Sequence, residues 1–209
     1  MKKLILTIAL ALATFTAANA QFGIVGGYTM SNSKLNSEIF KPVNASAWHA
    51  GVAYKIELGP LFTLQPALVY QAKGSTIQSE RLGSIQTNTG YVELEVGAQL
   101  GIDLLAFRPF ILLEPFVGYG VYTGDKYGSD LNEYLNNAKN KFEFGFGVGG
   151  GVEIFDHVQL SVQWFMNVGK LYKEDALKTG TIMDVFSDYN FLKDVKNYQG
   201  LKVSVGIFF

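Results

Sequence analysis

Residues 142–154 read Phe142-Glu143-Phe144-Gly145-Phe146-Gly147-Val148-Gly149-Gly150-Gly151-Val152-Glu153-Ile154. Phe142, Phe144, Phe146, Val148, Val152 and Ile154 share one face; Glu143, Gly145, Gly147, Gly149, Gly151 and Glu153 share the other. A period of two is the signature of a β-strand, whose successive side chains point to opposite sides. No helical spacing accommodates this pattern.

The same alternation continues outward in both directions. C-terminally, Val158, Leu160, Val162, Trp164, Met166 and Val168 oppose Gln159, Ser161, Gln163, Phe165, Asn167 and Gly169. Leu201, Val203, Val205, Ile207 and Phe209 then oppose Lys202, Ser204, Gly206 and Phe208. N-terminally, Val92, Leu94, Val96, Ala98, Leu100 and Ile102 oppose Glu93, Glu95, Gly97, Gln99, Gly101 and Asp103. Weaker versions place Trp48 to one side of His49, Lys55 and Glu57, Phe62 and Tyr70 opposite Thr63, Gln65 and Gln71, and Tyr119 opposite Glu114 and Phe116. A glycine-rich stretch over residues 22–29 makes the eighth strand. Pro66 and Pro115 fall inside strand patterns and read as local bulges, because proline cannot donate to a ladder.

The connections are of two kinds. Those after even-numbered strands are short: residues 59–60, 104–107 and 155–157. Those after odd-numbered strands are long and polar: residues 30–45, 73–88, 124–140 and 172–198. Strict long–short alternation, an even strand count and strands of roughly 9–11 residues are the plan of a transmembrane barrel. The fold class expected is all-β, an eight-stranded antiparallel up-and-down transmembrane β-barrel. Closure is required because an open sheet edge in lipid leaves backbone groups unsatisfied.

Composition agrees. The 209 residues are 48% hydrophobic and 14% aromatic but only 17% charged, against about 25% charged in an ordinary soluble domain. No apolar run reaches the length of a membrane-crossing helix. The absence of cysteine excludes a disulfide framework and a thiolate metal site, and a formal net charge of −1 offers nucleic acid no basic face. Lys2 and Lys3, an apolar run over residues 4–18 and the small-x-small pattern Ala18-Asn19-Ala20 describe a cleaved signal peptide, residues 1–20, ahead of a barrel domain, residues 21–209. The destination expected is the outer membrane of a Gram-negative cell.

If the apolar face meets lipid, Trp48, Tyr70, Tyr119 and Phe142 near the long connections and Phe62 and Phe209 near the short turns make two aromatic girdles. The opposite face then sends Lys55, Glu57, Glu93, Glu95, Glu114, Glu143, Glu153 and Lys202 into the lumen. Eight strands enclose a space that side chains can fill, so these groups are expected to form an ion network that plugs it. Six glutamates against two lysines leave room for Arg108 or water. Glycines of the sixth strand give space to Phe116, Phe165 and Phe208.

The opening Phe22-Gly23-Ile24-Val25-Gly26-Gly27-Tyr28-Thr29-Met30-Ser31 and the closing Lys202-Val203-Ser204-Val205-Gly206-Ile207-Phe208-Phe209, with the alternation between them, resemble the PorT-like outer-membrane β-barrel family of Bacteroidota. The resemblance spans the chain from Gln21 onward. It implies a barrel in the outer membrane, a terminal aromatic strand read by the barrel-assembly machinery, and kinship with a component of a protein-export system.

Candidate chemistry is sparse. Glu93 and Glu95 lie two apart on one face, as a glycosidase pair would, but an ion network accounts for them. His49 has Ser46 three residues before it, which suggests a lipid acyltransferase at the barrel rim; His157 is a turn residue. Asp125, Asp130, Asn132 and Glu133 do not match a calcium-loop spacing. The reading is a non-enzymatic barrel without catalytic residues, metal or cofactor. Its role is structural, adhesion-like or export-accessory, and its partners are outer-membrane lipid, the assembly machinery and an extracellular or secretion-system partner on the long loops, with no nucleic acid among them. The alternatives are a small porin or transport barrel, the rim acyltransferase and a secreted lipocalin-type ligand carrier, which would keep an apolar lumen and a polar exterior.

Overall fold

Strands with one apolar and one polar face can hide the polar face only by curling round it. In the computed structural model, which describes residues 20–33, 41–79, 83–123, 140–168 and 198–209, they do so completely. Eight strands form one closed antiparallel barrel in chain order: β1 Ala20–Ser33, β2 Lys41–Glu57, β3 Phe62–Ser79, β4 Gly83–Gly101, β5 Phe107–Thr123, β6 Phe142–Ile154, β7 Val158–Val168 and β8 Tyr198–Phe208. The seam pairs β1 with β8 from Gly23↔Phe208 to Ser33↔Tyr198, and the Phe209 N–H donates to the Phe22 carbonyl at 2.8 Å. The signal-peptide residues and the acidic residues 125–133 lie outside the described residues, apart from Ala20, which opens β1.

Parity holds round the barrel. Ile111, Leu113, Val117 and Tyr119 of β5 are exposed while Leu112, Glu114, Phe116 and Gly118 are buried, and the other strands repeat the scheme. The exterior is therefore a band of aliphatic and aromatic side chains, and the interior holds the charges. That is the inverse of a lipocalin. Trp48, Phe62, Tyr119, Phe142 and Phe209 all stand on the outside, and Tyr70 is partly covered by Trp48, ring centroids 5.2 Å apart.

Three short turns close one end. Leu105, Phe155 and Asp156 adopt left-handed backbone there, with φ of 59°, 51° and 61°, and the exposed His157 donates its N–H to the Ile154 carbonyl at 3.2 Å.

Two expectations are corrected. Pro66 and Pro115 are not bulges: β2 and β3 keep one register on both sides of Pro66 (Ala53↔Ala67, Ile56↔Leu64), and Pro115 pairs in step with Phe146. Each removes one donor without inserting a residue, which an otherwise continuous ladder tolerates. The register shifts lie elsewhere, between Asn44 and His49 and between Gly90 and Tyr91. The second long connection, expected to be a loop over residues 73–88, is mostly strand: β3 and β4 stay paired out to Ser79↔Gly83. β2 accompanies this hairpin arm as far as Lys41↔Gln78, while β5 stops at Thr123↔Thr89, so the arm continues well past the end of its β5 neighbour.

Candidate functional site

The lumen is where chemistry is concentrated. Alternation turns one residue in two inward, and register stacks residues from different strands at the same height. Three tiers result, each built round one buried lysine.

Nearest the long connections, Lys73 of β3 lies 3.1 Å from Glu93 Oε1 and 3.2 Å from Glu143 Oε1, and donates to Asn167 Oδ1 at 3.1 Å. The Asn167 amide donates in turn to Glu143. The Lys73 ammonium also lies 4.4, 5.1 and 5.4 Å from the ring centroids of Phe116, Phe165 and Tyr91. In the middle tier Lys202 of β8 contacts Glu95 Oε1 at 2.5 Å and Glu114 Oε1 at 2.9 Å, and Gln163 Nε2 donates to the same Glu114 oxygen at 2.6 Å. Toward the turns, Lys55 of β2 meets Glu153 Oε1 at 2.5 Å and donates to the Asp156 carbonyl at 3.2 Å. Arg108 stands beside Glu153 at 3.7 Å and Asp103 at 3.4 Å and donates to Gln99, whose own amide donates to Gln65 at 2.7 Å. Each tier holds buried charge against opposite charge, the condition under which ions persist out of water.

Of the eight lumenal residues expected from the sequence, Lys55, Glu93, Glu95, Glu114, Glu143, Glu153 and Lys202 are buried inside. Glu57 is not: its side chain is 46% exposed at the turn-end mouth, 3.5 Å from Lys55. Glu93 and Glu95 serve different lysines, so they do not act as a pair. Lys73, the most enclosed of the described lysines, falls in the stretch 73–88 that the sequence presents as a loop; its step with Gln71 and Thr63 is the signal that marks it. Asn167, Gln163 and Gln99 also belong to the tiers.

His49 is buried, with Nδ1 3.0 Å from Thr29 Oγ1 and Nε2 2.9 Å from Ser204 Oγ. Ser46 is exposed on the opposite face, as a separation of three residues in a strand requires. The two do not meet. Among the described residues no group of three or more His, Asp or Glu could hold a metal ion.

Little space is left. A cavity of about 20 Å³ beside Lys202, Glu95, Gln99 and Ser204 has room for about one water. At the turn end a wider mouth of about 730 Å³ opens between Gln21, Glu57, Asp103, Arg108 and Asp156. Gly145 brings the β6 backbone against Phe116, whose Cζ lies 2.6 Å from where a Cβ would stand; rings fill what the ions leave.

The model of the outer membrane protein beta-barrel domain family matches residues 14–173. No curated protein matches the chain. Among solved structures it is similar to Neisserial surface protein A, with 14% identity, a TM-score of 0.47 and coverage of 91% of this chain and 99% of that one. It is similar also to Ail, the attachment invasion locus protein of Yersinia pestis (12% identity, TM-score 0.46, 91% and 99% covered). An outer membrane channel from Pseudomonas putida F1 aligns at 10% identity with a TM-score of 0.32, covering 93% and 98%.

Proposed function

Since this chain belongs to the outer membrane protein beta-barrel domain family, we propose that it is a non-enzymatic outer-membrane barrel with a plugged lumen, serving as a rigid mount for what its long connections present outside the cell. One observation carries this reading: the lumen is occupied by three ion tiers and packed rings while the outward faces of the described strands are dominated by exposed aliphatic and aromatic side chains. A barrel so filled offers no route to a solute, and its only buried histidine among the described residues is engaged at both nitrogens within the wall. The aromatic and aliphatic belt takes outer-membrane lipid, and the closing strand with Phe208 and Phe209 takes the barrel-assembly machinery. Residues 1–20 act as the cleaved export signal. The work is structural or adhesion-like; an export-accessory role is the form the PorT-like resemblance gives to the same surface.

The test joins two measurements on the refolded mature protein. A folded barrel migrates differently in gels before and after boiling, and in planar bilayers it produces no conductance steps above leak. Defined ohmic steps would replace the plugged barrel with a small porin, and a monodisperse protein in plain buffer would remove it from the membrane.

A further inference from the structure

The tier nearest the long connections differs from the other two. Lys55 has one ring near its ammonium, Phe208 at 5.6 Å. Lys73 has three, Phe116, Phe165 and Tyr91, all within 5.4 Å of its nitrogen. Three polar groups, Glu93, Glu143 and Asn167, lie within 3.3 Å of the same nitrogen. Tyr198 packs edge-on against Tyr91, centroids 6.4 Å apart, and fixes that ring. An ammonium carries three donors, and ring faces attract a cation most strongly where water is excluded. Two hydrogen-bond acceptors, Glu143 and Asn167, a second carboxylate in ion-pair contact and three rings round one nitrogen are the elements of a receptor for a primary ammonium group.

We propose that the outer tier of the lumen is a binding site for primary alkylammonium ions, filled in the resting barrel by the protein's own Lys73. The residues that make the site come from β4, β5, β6 and β7, while the occupant comes from β3. Site and ligand are thus separate parts of one chain, joined only by the barrel. A tethered occupant outcompetes free amines by its effective concentration, so the intact protein holds its plug. Removing the lysine side chain beyond Cβ leaves the shape of n-propylammonium: three carbons and a nitrogen. Acceptors select a primary over a quaternary ammonium, because only the former donates hydrogen bonds.

The experiment compares wild-type and Lys73→Ala barrels, refolded in detergent with sodium, n-propylammonium or tetramethylammonium chloride at equal ionic strength. Folded fraction is read as the heat-modifiable band and stability as Tm. The expected result is a lowered Tm in Lys73→Ala that climbs with the logarithm of n-propylammonium concentration. Tetramethylammonium leaves it unchanged, and the wild type responds to neither. Should the variant fold only with n-propylammonium present, the folded fraction becomes the readout and supports the site equally. Lys73→Ala/Glu143→Gln loses the response. A variant indifferent to n-propylammonium in both readouts, or one rescued as well by tetramethylammonium or sodium, overturns the proposal.

Discussion

At the scale of the residue, the lumen turns on how few cations it contains. Lys202 is the only ammonium within reach of Glu95 and Glu114 among the described ion pairs, so replacing it strands two carboxylates out of water. We expect Lys202→Met to destabilise the barrel by about 3–5 kcal/mol, the cost of breaking a buried pair from one side, seen as a lower urea midpoint in detergent or lipid vesicles. Adding Glu95→Gln and Glu114→Gln should recover much of that loss, since neutral isosteres need no partner charge; an unmoved midpoint in the single variant would refute the network. These residues were legible because they break an apolar pattern at fixed parity. Lys73 was not: the inward positions before it include Ala67 and Val69, which blur the contrast, and Gly74-Ser75-Thr76 after it reads as loop. The acyltransferase alternative needs His49 and Ser46 together, and a separation of three residues along one strand puts them on opposite faces.

Among the elements, β6 carries four glycines, Gly145, Gly149, Gly150 and Gly151, at which an added Cβ would first meet a neighbouring strand's carbonyl oxygen. A Cβ on Gly149 would stand 2.1 Å from the Val162 carbonyl oxygen of β7, whereas one on Gly97 of β4 would meet first the Leu112 side chain at 3.1 Å. Gly149→Ala must move a strand; Gly97→Ala need only shift a methyl. The first should cost about 1–3 kcal/mol or more, as overpacking does, and the second clearly less, a ranking that paired urea titrations would check. A turn gives the opposite sign. Leu105 holds φ 59° with its side chain wholly exposed, a conformation that costs a branched residue about 1–2 kcal/mol and asparagine less. Leu105→Asn should therefore raise the midpoint; a fall would mean that the leucine is covered by lipid or a partner at that end. Alternation located these strands but not their ends. Pro66 and Pro115 looked like bulges because sequence registers the missing donor, not the register that survives it.

For the whole molecule, closure puts the charge network beyond the reach of solvent ions. Screening acts on exposed pairs far more than on buried ones, so the unfolding midpoint should hardly change between about 0.05 and 1 M sodium chloride. A steep loss with salt would place the ion pairs in a hydrated lumen. The eight-strand closure was readable from the alternation of faces together with the alternation of long and short connections, because lipid on one side and a small lumen on the other force two unlike faces on every strand. The arm of β3 and β4 was invisible for the same reason: a ribbon clear of the lipid needs no apolar face, and a strand without one leaves no period of two. That arm has a mechanical meaning. An 18-residue strand extends about 60 Å, and tilted at about 40° it rises about 45 Å against a hydrocarbon layer of about 30 Å. The excess is a stiff lever, and its two strands run without interruption down to Lys73 and Glu93. A load on that ribbon would pass along continuous backbone pairing to the ions at its root.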